Sequence, residues 1–390
     1  MPFAPEFALV AACCRWPPSP ERDEAVRSAA AGIDWPLAAR MARRHRVEGL
    51  VWKALRQVRI DVPDEAASLL AAAASRIARR SLGMAAECFR LERLLAAEGI
   101  AALILKGVPL GKLAYGTIGL KMGSDIDLLV LPDEVERAAS VLERGGYCLA
   151  TPQGPAARER LGFWHEGWKE SVWVSETRGF QIDLHSRLTD NPRLLPGLDA
   201  RSPRQSVEIS TGLALETLAT DEHFAYLCVH GASSAWFRLK WIADLAALIA
   251  PCAPEEVERL YRRSQQLGAG RAAAQALLLI EALFSPPLPQ ALMAELRADR
   301  VSRWLLRIAL RKLSGRAAAT ELEDTRLGTA SIHLMQLALL PGWRFKLSEL
   351  GRQLVSPYDQ LAVPLPRALS FLYPLVFVAR RLPRPGRRGA

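Results

Sequence analysis

The stretch "KMGSDIDLLV" at residues 121–130 places two aspartates inside an otherwise apolar strand pattern. Side chains alternate across a strand, so Asp125 and Asp127 share one face and the apolar residues Ile126 and Leu128 share the other. Two neighbouring carboxylates repel each other, and burying either one unpaired is costly. Mg²⁺ is usually held by one or two carboxylates together with substrate phosphates, so it would stabilise such a pair. For this motif alone, an alternative stays open in which the strand leaves the sheet and both aspartates lie in water.

The composition of the chain is that of a folded protein. It has 390 residues, 50% of them hydrophobic, which is enough for two or three domains with sizeable cores. The six cysteines show no C-x-x-C spacing, which favours reduced core residues. The apolar N-terminus has no basic start and contains Glu6, so we predict no export signal. We expect a cytoplasmic protein without a transmembrane helix.

The net charge of +10 suits nucleic acid, a membrane surface or a polyphosphate and does not choose among them. We predict no specific nucleic-acid binding. The apolar segment "ALSFLYPLVFVA" near the C-terminus is followed by five arginines, Arg380, Arg381, Arg384, Arg387 and Arg388. Prolines break this segment, and it is too short to span a bilayer. It either docks on the protein, which we favour, or makes peripheral contact with an anionic membrane.

Changes in hydrophobic period divide the chain into four regions. Residues 1–97 have the period of helices, residues 98–210 alternate as in an α/β unit, and residues 211–340 are helical again. Residues 341–390 form a proline-punctuated segment with a basic tail. Within the α/β unit the patterns predict strands in "IAALILKG", "SDIDLLVL", "YCLA", "ESVWVS" and "FQIDLHSRL", the last two forming a hairpin, and helices in "VPLGKLAYG" and "PDEVERAASVLERGG".

A third acid lies in the motif "QIDLH", where Asp183 and His185 project from one face of a second strand. Carboxylates on two neighbouring strands can hold two divalent ions that stabilise the attacking and leaving oxygens of a displacement at phosphorus. Upstream, Lys106 and Gly107 end a strand just before a short helix. A glycine there lets backbone amides approach a phosphate, and a lysine neutralises its charge.

At these residues the sequence resembles a nucleotidyltransferase family of the DNA polymerase β superfamily. The resemblance lies in "LKGVPLGKLAYG", "DIDLLV" and "QIDLHSRL", and it extends to "LCVHGASSAWFRLKWIADLAAL" and, more loosely, to the C-terminal segment. It implies an α+β fold with a small mixed-sheet polymerase β-like core, flanked by N-terminal and C-terminal helical regions.

The resemblance also implies roles for individual residues. The metal ligands and catalytic carboxylates would be Asp125, Asp127 and Asp183, the last also helping to deprotonate an acceptor hydroxyl. His185 would brace Asp183 or contact the acceptor. Residues in contact with the nucleotide would be Lys106, Gly107, Lys121, Ser124, Arg238 and Lys240.

The chain also departs from the family pattern. Val108 stands where the superfamily favours serine, and Lys121 stands where relatives often have arginine, which makes phosphate pairing less fork-like. Lys240 and Asp244, four residues apart on a helix, could instead form a surface ion pair. We interpret His45 and His165 as structural or solvent-facing, and Trp236 and Trp241 as core residues that could alternatively stack on a base.

The sequence therefore predicts a Mg²⁺-dependent nucleotidyltransferase, with Mn²⁺ as an alternative cofactor. It would move a nucleoside monophosphate, most simply AMP from ATP or else from another nucleoside triphosphate, onto a hydroxyl or phosphate of an acceptor. Sugars, peptides and proteins all remain open as that acceptor. Two alternatives also remain: phosphoryl transfer to a peptide or small molecule from the same two-metal site, and a catalytically silent basic module that holds RNA or an acidic partner.

Overall fold

The computed structural model describes residues 3–154, 156–314, 328–355, 357–363, 365–373 and 375–376. The N-terminal region is helical, as expected. Two of its helices begin at capping side chains: Ser19 accepts from the Arg22 amide at 3.2 Å, and Asp34 accepts from the Leu37 amide at 2.9 Å. The helices are α1 (Pro5–Cys13), α2 (Pro20–Ala29), α3 (Trp35–His45), α4 (Glu48–Val58) and α5 (Asp64–Ala97).

A mixed five-stranded sheet follows and confirms the predicted α+β class. Its strands are β1 (Leu103–Ile104), β2 (Ile126–Leu129), β3 (Cys148–Thr151), β4 (Glu170–Ser175) and β5 (Phe180–His185). Their order across the sheet is β1-β2-β5-β4-β3. Strands β2 and β5 run parallel, whereas the other neighbours run antiparallel, and β4 and β5 form the expected hairpin.

Three helices accompany the sheet, namely α6 (Val108–Tyr115), α7 (Val135–Arg144) and α8 (Leu161–Gly167), and a 3-10 turn at Pro132–Glu134 precedes α7. A second, two-stranded sheet is formed by β6 (Arg204–Ser210) and β7 (Leu213–Leu218). This hairpin lies across position 210, where the change of period suggested the end of the α/β unit.

The chain then returns to helices. They are α9 (Thr220–Ser233), α10 (Leu239–Ile249), α11 (Pro254–Gln266), α12 (Gly270–Phe284), α13 (Gln290–Ala298), α14 (Arg300–Ser314), α15 (Gly328–Ala338), α16 (Trp343–Leu354) and α17 (Pro357–Ala362). A 3-10 segment covers Arg367–Leu372.

The C-terminal apolar segment is only partly buried. Tyr373 is 3% exposed, whereas Phe371 and Leu375 are 70% and 66% exposed. Pro374 and the arginines of the basic tail lie outside the described residues. Within the part of the chain that the structure describes, no helix has the length and apolar character needed to cross a membrane.

The two faces of the five-stranded sheet pack against different parts of the protein. Ile126, Leu128 and Leu184 project to one side, where they share a hydrophobic core with residues of α5, α7 and α8. Leu129 projects to the other side and belongs to a larger core built from the N-terminal helices and from α9–α13. Asp127 and Asp183 alternate along their strands with the apolar residues of the first side, so their carboxylates face the side of the larger core.

Candidate active site

Strands β2 and β5 place two of the three predicted carboxylates side by side. Asp127 and Asp183 are directly paired in the parallel ladder, and they are only 3% and 8% exposed. One ligand atom each from Asp127, Asp183 and His185 lie within 4.8 Å of one another. Asp125 precedes β2, is partly exposed, lies outside this group and accepts a hydrogen bond from Ser124 Oγ at 2.9 Å.

A chain of polar contacts crosses the sheet at Asp127. Its Oδ1 atom lies 2.8 Å from Lys106 Nζ and 3.2 Å from His185 Nε2. The other imidazole nitrogen of His185 lies 3.4 Å from Glu170 Oε2, and Glu170 forms an ion pair with Lys169. His185 therefore braces Asp127 rather than Asp183, whose Oδ1 accepts from Gln181 Nε2 at 2.9 Å.

Glu170 is a site residue that sequence reasoning missed. It is the first residue of β4 and is paired with His185 in the antiparallel ladder. The alternation of "ESVWVS" assigns it to one face of a strand, but only the register of β4 against β5 shows that this is the face of the carboxylates.

The two buried aspartates have opposite electrostatic environments. Burial would raise the pKa of Asp127, but the Lys106 ammonium and His185 hold that pKa well below its usual range. Burial and the negative charges of Asp127 and Asp125 raise the pKa of Asp183 to about 8. With both aspartates ionised, the group would carry more negative charge than its cationic partners balance, and a hard divalent cation would stabilise that form.

A cavity of about 140 Å³ opens beside these carboxylates, and we call it the nucleotide-side cavity because most of the nucleotide contacts predicted from the sequence line it. Its charged lining residues are Arg46, Lys106, Lys121, Lys240, Asp125, Asp127 and Asp244. Gly107, Leu110, Ser124, His230 and Trp241 also line it. Arg46, which directly follows α3, therefore meets residues of the α/β unit and of α9–α10 at one place.

The cations of this cavity are crowded together. Lys121 Nζ lies 2.8 Å from Asp244 Oδ2, and Tyr115 donates to Asp244 Oδ1 at 2.9 Å. Asp244 thus pairs with Lys121, and no carboxylate among the described residues lies within ion-pair distance of Lys240. Burial and the positive charges of Lys121 and Arg46 lower the pKa of Lys240 to about 7.

The loop before α6 and the segment before β2 form the wall of this cavity. Gly107 caps α6 with φ 69°, a conformation that favours glycine. Ser124 links an acidic and a basic residue of the cavity. Its hydroxyl donates to Asp125 and accepts from Arg46 Nη1 at 3.2 Å. Arg46 is a second residue that sequence reasoning missed, since it follows α3 and lies 78 residues from Ser124 in the chain.

Arg238 does not join the other predicted nucleotide contacts. It is 8% exposed, does not line the cavity, and donates from Nη1 to the Arg44 carbonyl at 2.9 Å. His45 is fully buried and accepts from the Leu239 amide at 3.1 Å, so it is a packed residue and not a solvent-facing one. His165 is likewise structural, because its two ring nitrogens contact the hydroxyls of Ser186 and Ser171 at 2.9 Å and 3.0 Å.

The two tryptophans of the second helical region differ. Trp236 is fully buried and donates to Gln275 Oε1 at 3.0 Å, as expected for a core residue. Trp241 also packs against the core but lines the nucleotide-side cavity, where its ring meets His230 edge to face at 5.6 Å.

Comparison with known proteins identifies the family. A family model described as "Uncharacterised nucleotidyltransferase" matches residues 31–285. The chain belongs to this family. The match runs from just before α3 through the sheet to the end of α12, so it includes all lining residues of the nucleotide-side cavity. None of the curated proteins compared with the chain matches it. Family membership supports nucleotidyl transfer in general and leaves the donor and acceptor to be inferred from the site.

Proposed function

We propose that the protein transfers a nucleoside monophosphate, most simply AMP from ATP, onto an acceptor in a reaction that depends on Mg²⁺ or Mn²⁺. One observation carries this proposal: an excess of negative charge and an excess of positive charge lie next to each other. The first raises the pKa of Asp183 to about 8, and the second lowers the pKa of Lys240 to about 7. A metal-bound triphosphate would offer its cation to the carboxylates around Asp183 and its phosphate oxygens to the cations around Lys240.

The residues present fit a divalent cation. Asp127 and Asp183 would hold it, and Asp125 would join them from the wall of the neighbouring cavity. A metal bound there would neutralise charge on the phosphates and on the reacting oxygens. His185 and Glu170 would orient Asp127, as hydrogen-bonded neighbours of metal ligands commonly do.

The nucleotide-side cavity would take the triphosphate. Lys106, Lys121 and Lys240 supply positive charge, and the start of α6 at Gly107 supplies backbone amides. Ser124 would add a hydroxyl contact. Trp241 offers an aromatic face on the same wall, on which a base could stack.

The transfer itself is a displacement at the α-phosphorus. The acceptor oxygen forms a bond to that phosphorus, while the bond from the same phosphorus to the oxygen bridging to the β-phosphate breaks. Pyrophosphate leaves with the electron pair. A cation held beside Asp183 would lower the raised pKa of this carboxyl and keep it ionised, so that Asp183 can take the proton of the acceptor hydroxyl. The chain contributes mainly by positioning and by charge stabilisation.

The experiment that tests this proposal compares two labelled donors. The purified full chain is incubated with Mg²⁺, candidate acceptors and ATP that is ³²P-labelled at either the α- or the γ-phosphate, while pyrophosphate release is followed. Label from the α-position in the product supports nucleotidyl transfer. Label from the γ-position in the product would refute nucleotidyl transfer and show phosphoryl transfer instead. Absence of ATP binding by calorimetry, with and without Mg²⁺, would leave a non-catalytic binding module.

The cysteines support the cytoplasmic location that the sequence predicts. All six are free thiols, and Cys13, Cys14, Cys88 and Cys228 are buried. A protein with this many unpaired thiols is suited to a reducing compartment.

A further inference from the structure

A second cavity of about 290 Å³ adjoins the nucleotide-side cavity. It lies between the start of β4, the segment after β5, the end of α9 and the C-terminal helices α15 and α16. His230 lines both cavities, and Glu170, which contacts His185, lines the second one. A molecule bound in the second cavity would therefore meet Glu170, which is linked to Asp127 through His185.

The second cavity has the opposite charge balance to the first. Its charged residues are Lys169, Arg352, Glu170, Asp190 and Glu349, so carboxylates outnumber cations. In the nucleotide-side cavity, cations outnumber carboxylates. His230 does not change this balance, because burial and nearby cations hold its pKa well below its usual value and the ring is neutral.

The cations of the second cavity are already paired. Lys169 forms an ion pair with Glu170, and Arg352 Nη2 lies 2.6 Å from Glu349 Oε1. Asp190 lies at the limit of ion-pair distance, with its Oδ2 atom 4.0 Å from Arg352 Nη1. A phosphate or carboxylate group entering this cavity would meet an additional negative charge and no unpaired cation among the described lining residues.

The groups left for a ligand are neutral and polar. The side-chain hydroxyls of Ser233 and Ser234 and the ring nitrogens of His230 make no hydrogen bond to any residue that the structure describes, and the only such contact of Ser233 from Gln336 goes to its backbone carbonyl. Leu188 and Val229 add apolar surface to the wall. Small-molecule pockets commonly combine a few such polar groups with apolar lining, and a molecule with several hydroxyls on a carbon ring can use both.

We propose that the second cavity binds the acceptor, and that this acceptor is a hydroxyl-bearing molecule of the sugar class with no negative charge. This inference rests on the proposed function and narrows it, because the attacking group is then a hydroxyl and not a phosphate. The hydroxyl oxygen bonds to the α-phosphorus, its proton goes to Asp183, and pyrophosphate leaves with the electron pair of the broken bond.

Saturation-transfer NMR on the full chain tests the inference. Three probes are used separately, namely glucose, glucosamine and glucose 6-phosphate, in the presence of Mg²⁺ and the non-reacting analogue α,β-methylene-ATP. We expect signals from glucose and glucosamine, and weaker or absent signals from glucose 6-phosphate. Absence of signal from both uncharged and amino sugars, or a glucose 6-phosphate signal as strong as theirs, would overturn the inference.

Two variants and a matched control locate the binding. Ser234→Tyr fills the cavity and should abolish the sugar signals, while Asp190→Asn removes the additional negative charge and should increase the glucose 6-phosphate signal. Asp133→Asn makes the same charge change at an exposed position in the turn before α7. It should alter neither the sugar signals nor the glucose 6-phosphate signal. Sugar signals that survive Ser234→Tyr would place the binding elsewhere and refute the inference.

Calorimetry of the analogue with the same samples separates the two proposals. Analogue binding to Ser234→Tyr shows that the variant is folded. Nucleotide binding without any sugar binding would overturn this inference alone. Sugar binding without nucleotide binding would overturn the proposed function, and the acceptor role of the cavity with it.

Discussion

Lys240 gives the most direct test of the nucleotide-side cavity, because its charge should depend on pH in the neutral range. With a pKa of about 7, its side chain is roughly nine-tenths protonated at pH 6 and roughly one-tenth protonated at pH 8. Only the ammonium form attracts phosphate oxygens. The dissociation constant of Mg²⁺·ATP should therefore rise by about tenfold from pH 6 to pH 8, or about 1.4 kcal/mol.

Two variants separate this effect from the titration of ATP itself. The arginine of Lys240→Arg stays charged from pH 6 to pH 8. The dissociation constant of Mg²⁺·ATP for this variant should therefore change with pH only as far as ATP itself titrates. Lys240→Met lacks the charge at every pH and should bind weakly at pH 6, approaching the wild type at pH 8. Calorimetry at constant ionic strength measures all three proteins. The same pH dependence in the wild type and in Lys240→Arg would refute the role of Lys240.

The same pKa has a consequence of opposite sign for stability. Lys240 has a pKa of about 7 in the folded protein against an ordinary value of 10.5. Between these values the unfolded state binds more protons, so the contribution of Lys240 to the free energy of unfolding becomes more favourable as pH rises. Urea unfolding without nucleotide at pH 7 and pH 9 should show this rise in the wild type relative to Lys240→Met. An identical change in both proteins would contradict the lowered pKa.

Four further substitutions test the carboxylates and Lys106. Asp125→Asn should lower turnover by about a thousandfold with little loss of stability, because Asp125 is partly exposed; normal pyrophosphate release would end the metal-site hypothesis. Asp127→Asn should also cost about 3 kcal/mol in urea unfolding, because it leaves the Lys106 ammonium without its buried partner; unchanged stability would argue against that ion pair. Asp183→Asn should lower turnover much more than ATP affinity, whereas a loss of affinity alone would remove it from catalysis. Lys106→Ala should weaken ATP binding more than AMP binding, and equal weakening in calorimetry would refute a triphosphate contact.

The sequence predicts the strands of the site well, because their alternation is local. The patterns of "DIDLLV" and "QIDLH" place Asp127 and Asp183 on polar faces, and the structure pairs them directly. The alternation does not predict where pairing ends. Strand β2 begins at Ile126, so Asp125 lies outside the ladder and at the cavity wall. A metal-ligand set based on spacing alone could not distinguish these two positions.

Residues brought in by tertiary contacts could not be predicted in this way. Glu170 reaches the site through the register of β4, and Arg46 reaches it through the packing of α3. The sequence analysis also predicts both Arg238 and Lys240 as nucleotide contacts. Arg238 is the extended residue before α10, with φ −122° and ψ 129°, whereas Lys240 lies within the first turn. Two residues on either side of a helix start do not share a direction, so only Lys240 lines the cavity.

The electrostatic features of the site arise only when the helical regions surround the sheet. Arg46 comes from the N-terminal region, Lys106 and Lys121 come from the α/β unit, and Lys240 comes from α10. The N-terminal helices and α9–α13 share one hydrophobic core, which fixes these cations relative to one another. Their crowding lowers the pKa of Lys240, and their closeness to the buried carboxylates supplies the charge pattern that a metal-bound triphosphate would match. The α/β unit alone carries the carboxylates but lacks Arg46 and Lys240, so the helical regions are part of the proposed nucleotide site and not only its support.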